Sequence, residues 1–249
     1  MLRDRLSDGV KLRIRRALAK LGIEIGAYAG SFAEHRTLLI RGSHVETVWD
    51  VGAHVGQYAV QLQSHGYVGH IISIEPSNVA FRELSVRAAR SESWTALSVA
   101  VADIVGEGML NVAANGQSSS LLPMAERHRS ASPGSRYVGS QPVKTTTLDA
   151  LQDRMTPPRP YFVKLDLQGG ELPALRGAAS VLRSAVACEI ELSFTELYEG
   201  GASWQEVIAQ LATEGFVICD VERVFFDPAS GDLLQVNALF RRPPSSSIP

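Results

Sequence analysis

Apolar strand segments alternate with helical segments along most of this 249-residue chain, and the alternation limits the possible folds more than any other feature. Strands separated by helices of about ten residues are typical of a parallel sheet covered by helices on both faces. The predicted strands are 47–52, 70–75, 95–102, 161–167 and 185–192, and the predicted helices are 57–64, 77–90, 171–182 and 204–213. Two last strands, 216–226 and 233–240, flank a short turn and are expected to pair antiparallel. We predict an α/β fold with a doubly wound, mostly parallel sheet of about seven strands and an antiparallel edge strand.

Both ends of the chain are expected to lie outside this sheet. Apolar residues recur every three or four positions through 2–21 with arginines between them, which predicts a basic amphipathic helix. The helix would pack its apolar stripe on the domain, or it would bind a membrane surface or an acidic partner. We expect residues 1–44 to form a helical extension, 45–242 the folded domain and 243–249 a frayed tail.

The segment 115–139 has neither a helical nor a strand period, and it is rich in serine, with prolines and glycines. Long segments of this kind inside a domain are often lids or binding loops. We expect it to border a ligand site without regular structure of its own, between extended edge elements at 109–112 and 143–147. His128 would reach that site if the segment closes over it.

Charge, hydropathy and cysteine content exclude several classes of protein. The formal net charge of −2 disfavours nucleic acid as a partner. No apolar run is long enough to span a membrane, and the N-terminus lacks the continuous apolar segment of a secretory signal. Cys188 and Cys219 lie in apolar runs, which predicts buried thiols in a reducing compartment. We therefore expect a cytoplasmic protein.

The first predicted strand ends in a glycine-containing loop, Asp50-Val-Gly52-Ala-His54-Val-Gly56. Glycines at such a turn let a ligand approach the backbone, and the following helix offers free N–H groups. The second strand ends at Glu75, about 20 residues further on, where an acidic side chain can hold the hydroxyls of a ribose. The two features together predict a cofactor that contains a nucleoside.

The same loop distinguishes between cofactors. It lacks the close glycine triplet that a pyrophosphate needs, and the Asp50 carboxylate suits an ammonium or hydroxyl group better than a phosphate. S-adenosylmethionine, which has an amino-acid tail and no phosphate, therefore fits better than NAD, which stays as the alternative.

Two charged residues, Lys164 and Asp166, interrupt an otherwise apolar strand. Residues at i and i+2 share one face, and an unpaired buried charge would cost several kcal/mol. They would pair with each other or with Glu171, or Asp166 would act on a ligand at the carboxyl end of the strand. Glu189 and Glu191 repeat the pattern on the next strand: one would be a partner of Lys164, and the other would face the acceptor or a metal.

An ordered set of motifs resembles the FkbM-type methyltransferases, within the Rossmann-like S-adenosylmethionine enzymes. The motifs span about residues 45–242 and are DVGAHVGQY at 50–58, ISIEPS at 72–77, AVAD at 100–103, SSSL at 118–121, TLD at 147–149, FVKLDLQGGE at 162–171, ELSFTELYEG at 191–200 and LQVNALF at 234–240. The chain departs from the family at His54, where asparagine is usual, and at Asn237, where aspartate is frequent.

The resemblance implies an S-adenosylmethionine-binding domain that methylates a hydroxyl of a sugar unit, as in a glycoside, a polysaccharide or a glycosylated metabolite. Carried over position by position, it implies cofactor contacts from Asp50, Gly52, Ala53, His54, Gly56, Tyr58, Glu75, Pro76, Ser77, Ala102, Asp103 and Asp166. Asp50, Gly52 and Gly56 would line the methionine part, Glu75 would hold the ribose, and Ala102 and Asp103 would lie beside the adenine.

The expected catalytic residues are Asp166, His54, Lys164 and Glu191. A sugar hydroxyl is a weak acid, so either a base or a metal must help to remove its proton. Asp166 and Glu191 would hold one Mg²⁺, or one of these carboxylates would itself be the base. The partner would be a small-molecule or oligosaccharide acceptor, and a homodimer is also expected. A cofactor-binding scaffold without turnover and a non-sugar hydroxyl acceptor are the alternatives.

Overall fold

The computed structural model describes residues 30–243, so the predictions for the helix at 2–21 and for the tail after residue 243 lie outside the described residues. The helices are α1 Phe32–Gly42, α2 Gln57–Ser64, α3 Asn78–Ala88, α4 Glu126–Ala131, α5 Leu148–Met155, α6 Glu171–Arg176, α7 Ala179–Ser184 and α8 Trp204–Thr213. The strands are β1 Thr47–Val51, β2 His70–Ile74, β3 Trp94–Leu97, β4 Ala100–Val101, β5 Gly106–Ala113, β6 Tyr137–Thr146, β7 Tyr161–Leu165, β8 Ala185–Ser193, β9 Val217–Phe226 and β10 Leu233–Arg241.

The main sheet has seven strands in the order β3-β2-β1-β7-β8-β10-β9. Neighbouring strands are parallel, except that β10 runs antiparallel to both β8 and β9. The predicted fold is confirmed, and the antiparallel strand lies one place inside the edge strand β9. Because the strand order changes direction between β1 and β7, the carboxyl ends of these two strands meet at the switch point, where open α/β sheets bind ligands.

Apolar side chains cover both faces of the central strands. On β1, Trp49 packs into a cluster with α6, α7 and α8, while Val48 packs on the other face with α1, α2 and α3. Successive strand residues point to opposite faces, so a strand that is buried on both sides is an uninterrupted apolar run. The one charged residue within β1, Asp50, is fully buried.

Three predictions of secondary structure were wrong. The predicted strand 95–102 is divided, because the chain leaves the main sheet after β3 and then pairs β4 with β6 in a separate sheet of order β4-β6-β5. The predicted helix 171–182 is two short helices, α6 and α7, separated near Gly177. The segment 115–139 has regular structure, namely α4, a 3₁₀ turn at Pro133–Ser135 and the start of β6.

Helix α1 begins at a capping box between Ser31 and Glu34 and packs against the sheet through its buried face. The domain boundary at residue 44 stays a prediction. Cys188 is buried and Cys219 is partly buried, and both are free thiols. Within residues 30–243, no helix is both long enough and apolar enough to cross a membrane.

Candidate functional site

A cavity of about 780 Å³ opens at the carboxyl ends of β1, β2, β7 and β8. It therefore lies at the switch point of the sheet, and part of the segment 115–139 forms one of its walls. The sequence-predicted site residues that line it are Gly52, Ala53, His54, Tyr58, Glu75, Pro76, Lys164, Asp166 and Glu191.

The other predicted site residues do not line this cavity. Asp50 is fully buried behind it, and Ser77 is buried with its N–H donating to Glu75. Gly56 precedes α2 with φ +88°, where an added Cβ would come within 2.7 Å of Trp94. Ala102 and Asp103 directly follow β4, whose own residues Ala100 and Val101 do line the cavity.

The loop after β1 is held by the carboxylate of Glu75. The Glu75 Oε2 atom accepts from the His54 N–H at 2.8 Å, and Oε1 accepts from the Ser77 N–H at 2.7 Å. Burial raises the pKa of Glu75 to about 7, although both backbone donors act in the opposite direction. Each oxygen has two acceptor positions, so each keeps one for a further donor such as a ribose hydroxyl.

His54 adopts a left-handed backbone conformation with φ +49°. Histidine, asparagine and aspartate are the side chains that tolerate this region best, which gives a physical reason for histidine at a position where asparagine is usual. The ring Nδ1 accepts from Gln57 Nε2 at 3.1 Å, and the ring lies against Gly116 of the cavity wall, where a Cβ would be 2.8 Å from His54 Nε2. Burial lowers the pKa of His54, which favours its neutral form.

Lys164 connects the ends of β1 and β7. Its Nζ donates to Gly52 O at 3.0 Å and lies 3.6 Å from Asp50 Oδ1 and 3.4 Å from Asp166 Oδ2. Burial acts to lower the pKa of Lys164, but the charges of Asp166 and Asp50 outweigh it and raise the pKa above its usual range. Lys164 thus pairs with Asp166, as one alternative predicted, and also with Asp50.

Glu171 has a different partner from the one considered in the sequence. Its carboxylate accepts the N–H groups of Leu167 at 2.8 Å and of Gly169 at 3.1 Å, so it holds the turn between β7 and α6. Burial raises its pKa to about 7. Glu171 therefore does at the end of β7 what Glu75 does at the end of β2.

Glu189 faces the cavity from β8, but its ion pair is with a residue that sequence reasoning missed. Arg36 of α1 donates from Nη1 to Glu189 Oε2 at 3.1 Å, and both side chains are buried. The Tyr58 hydroxyl donates to the same oxygen at 2.9 Å. Nothing in the sequence connects Arg36 with Glu189, because they come together only when α1 packs across the sheet.

The carboxylates of Asp166 and Glu191 are joined by another missed residue, Gln168. Its Nε2 donates to Asp166 Oδ1 at 2.7 Å and to Glu191 Oε2 at 2.9 Å, and Gln235 Nε2 donates to Glu191 Oε2 at 2.8 Å. Burial, followed by the charges of Asp166 and Glu171, raises the pKa of Glu191 well above its usual range.

This arrangement does not fit the predicted Mg²⁺ site. A cation between Asp166 and Glu191 would face the N–H groups of Gln168, whereas Mg²⁺ needs oxygen ligands. Within residues 30–243, no group of three or more histidine, cysteine, aspartate or glutamate side chains could hold a metal. The magnesium prediction is therefore not supported.

His128 lies on α4 at the cavity wall, 3% exposed, with its ring edge-on to Tyr198 and tilted against Phe225. Its Nδ1 has no hydrogen-bond partner among the described residues. Burial lowers the pKa of His128 to about 4, so the ring is neutral. The segment that carries it thus borders the cavity, as expected, although it is helical.

Comparisons with known proteins agree with this architecture. A family model described as the methyltransferase FkbM domain matches residues 50–218. Hexuronic acid methyltransferase AglP from Haloferax volcanii is 24% identical over 211 residues, which cover 76% of this chain and 80% of that protein. A crystal structure from Klebsiella pneumoniae, provisionally described as an O-methyltransferase, has a TM-score of 0.50 and 9% identity and covers 97% of this chain and 93% of its own. Identity this low shows the fold alone.

Proposed function

The chain belongs to the FkbM methyltransferase family, and from this premise we propose that it transfers the methyl group of S-adenosylmethionine to a hydroxyl oxygen of a sugar unit. The observation that carries the proposal is the shared cavity, where a ribose-binding carboxylate at the end of β2 and a partly exposed aspartate at the end of β7 face one space.

The β2 end of the cavity suits the nucleoside of the cofactor. Glu75 is fixed by two backbone N–H groups and keeps one acceptor position on each oxygen for the two ribose hydroxyls. Gly52 and Ala53 line the approach to this carboxylate. S-adenosylmethionine, when bound, supplies a methyl group on a positively charged sulfur.

The charge of the cavity favours a cationic cofactor and a neutral acceptor. Among the described residues that line it, Lys164 is the one lysine or arginine, whereas four side chains are acidic, those of Glu75, Asp166, Glu189 and Glu191. The raised pKa values of Glu191 and Glu75 reduce their share of the negative charge. Arg36 neutralises Glu189, and Lys164 is shared between Asp166 and the buried Asp50. A net negative cavity attracts a sulfonium ion and repels an anionic acceptor.

Polar side chains in the rest of the wall suit an acceptor with several hydroxyl groups. This wall includes side-chain amides and a hydroxyl that offer both donors and acceptors, namely those of Asn115, Gln117, Ser119 and Asn237. Phe225 adds an apolar surface beside them. A sugar ring presents this combination of hydroxyls and apolar C–H groups, which supports a sugar over a purely apolar metabolite.

In the proposed reaction, Asp166 takes the hydroxyl proton. Its Oδ1 is held by Gln168 and its Oδ2 lies beside Lys164, which keeps the carboxylate ready to accept a hydrogen bond from the acceptor. Holding the hydroxyl and the methyl donor together in one cavity supplies a large part of the rate acceleration in such transfers.

A carboxylate acceptor is the second candidate, because the relative AglP is named for a hexuronic acid, which has hydroxyl and carboxyl oxygens. Methyl transfer to a carboxylate needs no base. The acidic cavity argues against it, since the anion would approach Asp166.

The test has two stages. S-adenosylhomocysteine should raise the melting temperature and NAD should not, because a ligand that binds only the native state stabilises it. Labelled S-adenosylmethionine is then incubated with neutral and hexuronic-acid oligosaccharides, and the products are treated with mild alkali. A methyl ether survives alkali and a methyl ester is released. Equal stabilisation by both ligands, or by neither, would contradict the cofactor, and binding without any turnover would favour the scaffold alternative.

The cytoplasmic location and the homodimer stay predictions. The two free thiols support a reducing compartment. Light scattering of the purified full chain would measure its oligomeric state.

A further inference from the structure

Gln168 has an unusual backbone conformation for its residue type. It lies in the turn between β7 and α6 with φ +53°, and Gly169 follows with φ +98°. A non-glycine residue in this region is strained and persists only where the surroundings impose it. The hydroxyl of Ser120 donates to Gln168 O at 2.8 Å and helps to hold the turn.

The side-chain amide of Gln168 has a partner for every polar group. Tyr198 donates its hydroxyl to Oε1 at 2.6 Å, which leaves the two N–H groups for the carboxylates of Asp166 and Glu191. The left-handed backbone, the Tyr198 hydroxyl and the two carboxylates thus fix this amide in one orientation.

The amide occupies the place between two carboxylates where a cation would otherwise bind. One N–H is directed to each carboxylate, so both side chains are held at a common nitrogen and both line the cavity. Gln168 and Gln235 both donate to Glu191 Oε2, whereas Glu191 Oε1 makes no hydrogen bond within residues 30–243.

On the basis of the proposed hydroxyl methylation, we propose that Gln168 is a positioning residue that replaces a metal ion and makes the site specific for an acceptor with two neighbouring hydroxyls. Asp166 faces the hydroxyl that reacts, and Glu191 Oε1 faces the hydroxyl beside it. The acceptor oxygen forms its bond to the methyl carbon as the carbon–sulfur bond of the cofactor breaks. The sulfur keeps the electron pair, and the hydroxyl proton passes to Asp166.

The first experiment measures cation binding and needs no acceptor. Gln168→Glu places a third carboxylate between the first two, so it should create an oxygen-ligand site. With Mn²⁺ alone as the probe, calorimetry on the full chain should detect one site in the variant and none at Asp166 in the wild type. Gln205→Glu, the same change at an exposed position of α8, should remain like the wild type. Wild-type Mn²⁺ binding that Asp166→Asn abolishes would overturn the proposal, as would a Gln168→Glu variant that binds no Mn²⁺.

The second experiment measures turnover. Gln168→Asn keeps an amide and tolerates the left-handed backbone, but it is one methylene too short to reach both carboxylates. A misplacement of about 1 Å should lower kcat about 10²-fold while the KM for S-adenosylmethionine and the melting temperature change little. Wild-type kcat in this variant would overturn the positioning role. If no tested acceptor is methylated even by the wild type, the proposed function fails. The difference in Mn²⁺ binding between the wild type and Gln168→Glu still measures whether the Gln168 amide takes the place of a cation between Asp166 and Glu191.

Discussion

The cavity has two sides that are assembled in different ways. On the β2 side, formed by loop 52–56 and Glu75, one carboxylate holds backbone N–H groups of neighbouring loops. On the β8 side, Glu171 holds the turn after β7 in the same way, but further side-chain hydrogen bonds join the residues that line it. These residues are Asp166, Gln168, Glu191 and Gln235, and the buried Tyr198 hydroxyl donates to Gln168. The β2 side is therefore fixed by backbone geometry, and the β8 side by contacts between distant segments.

Asp166→Asn should show the largest difference between the two sides, because it should lower turnover and leave cofactor binding unchanged. The variant loses the proposed base, so the rate should fall roughly 10²- to 10⁴-fold, while the affinity for S-adenosylhomocysteine is unchanged. Folding should change little, because Lys164 keeps Gly52 O and Asp50 as partners. Turnover, calorimetry and the melting temperature are measured on the same sample.

The opposite outcome for Asp166→Asn would have a clear meaning. If the residue only neutralises Lys164, the variant loses about 3–5 kcal/mol of stability and keeps proportionate activity in its folded fraction. Asp166 would then belong to the framework of the β8 side and not to its chemistry.

Gly52→Ala should break the contact that joins the two sides. Gly52 has φ +78°, and an added Cβ would be 1.8 Å from the backbone oxygen of Asp166. Gly200 has a similar φ of +75° and open space around it, so Gly200→Ala measures the backbone cost alone. We expect about 1–2 kcal/mol of destabilisation at Gly200 and at least about 3 kcal/mol at Gly52 in urea unfolding. Equal losses would mean that the turn after β7 moves freely away from the loop.

The sides differ in how well they could be predicted from sequence. Gly52, Glu75 and Asp166 are found because short motifs place them at strand ends, and the alternation of strands and helices gives the sheet. The residues whose roles depend on side-chain contacts between segments far apart in the chain could not be predicted in this way. They are Arg36, Gln168, Tyr198 and Gln235. The pair Gln168-Gly169 within its motif was an available signal, since glycine beside a polar residue indicates a turn.

Each side contains one buried glutamate, and the two should give the protein a related pH dependence. Burial raises the pKa of Glu75 and of Glu171 to about 7, above the ordinary value of 4.5 that applies to the unfolded chain. Between pH 4.5 and 7 the native state therefore binds more protons than the unfolded chain does. The contribution of the two glutamates to stability is complete below pH 4.5 and is lost as the pH rises through 7.

The measurement compares variants, because His128, with its pKa lowered to about 4, acts in the opposite direction. Relative to wild type, Glu75→Gln and Glu171→Gln should each gain up to about 3 kcal/mol of unfolding free energy between pH 4.5 and 7.5. The exposed Glu92→Gln sets the background. A difference that does not change with pH at either site would show that burial is not what controls that carboxylate.

Glu75→Gln should have the smallest effect. It should weaken cofactor binding and leave turnover unchanged, which is the reverse of the result expected for Asp166→Asn. Glu75→Gln replaces one acceptor oxygen with an N–H donor, so one backbone N–H and one ribose hydroxyl lose their acceptor, and the Kd of S-adenosylhomocysteine should rise about tenfold at pH 8. Since the pKa of Glu75 is about 7, the wild-type affinity should fall as the pH decreases from 8 to 6, whereas the variant should respond little. At saturating cofactor, kcat should stay near the wild-type value, because Glu75 lies on the side away from Asp166. If Glu75→Gln instead lowers kcat and leaves the Kd unchanged, the ribose is held elsewhere, and the β2 side is the one that meets the acceptor.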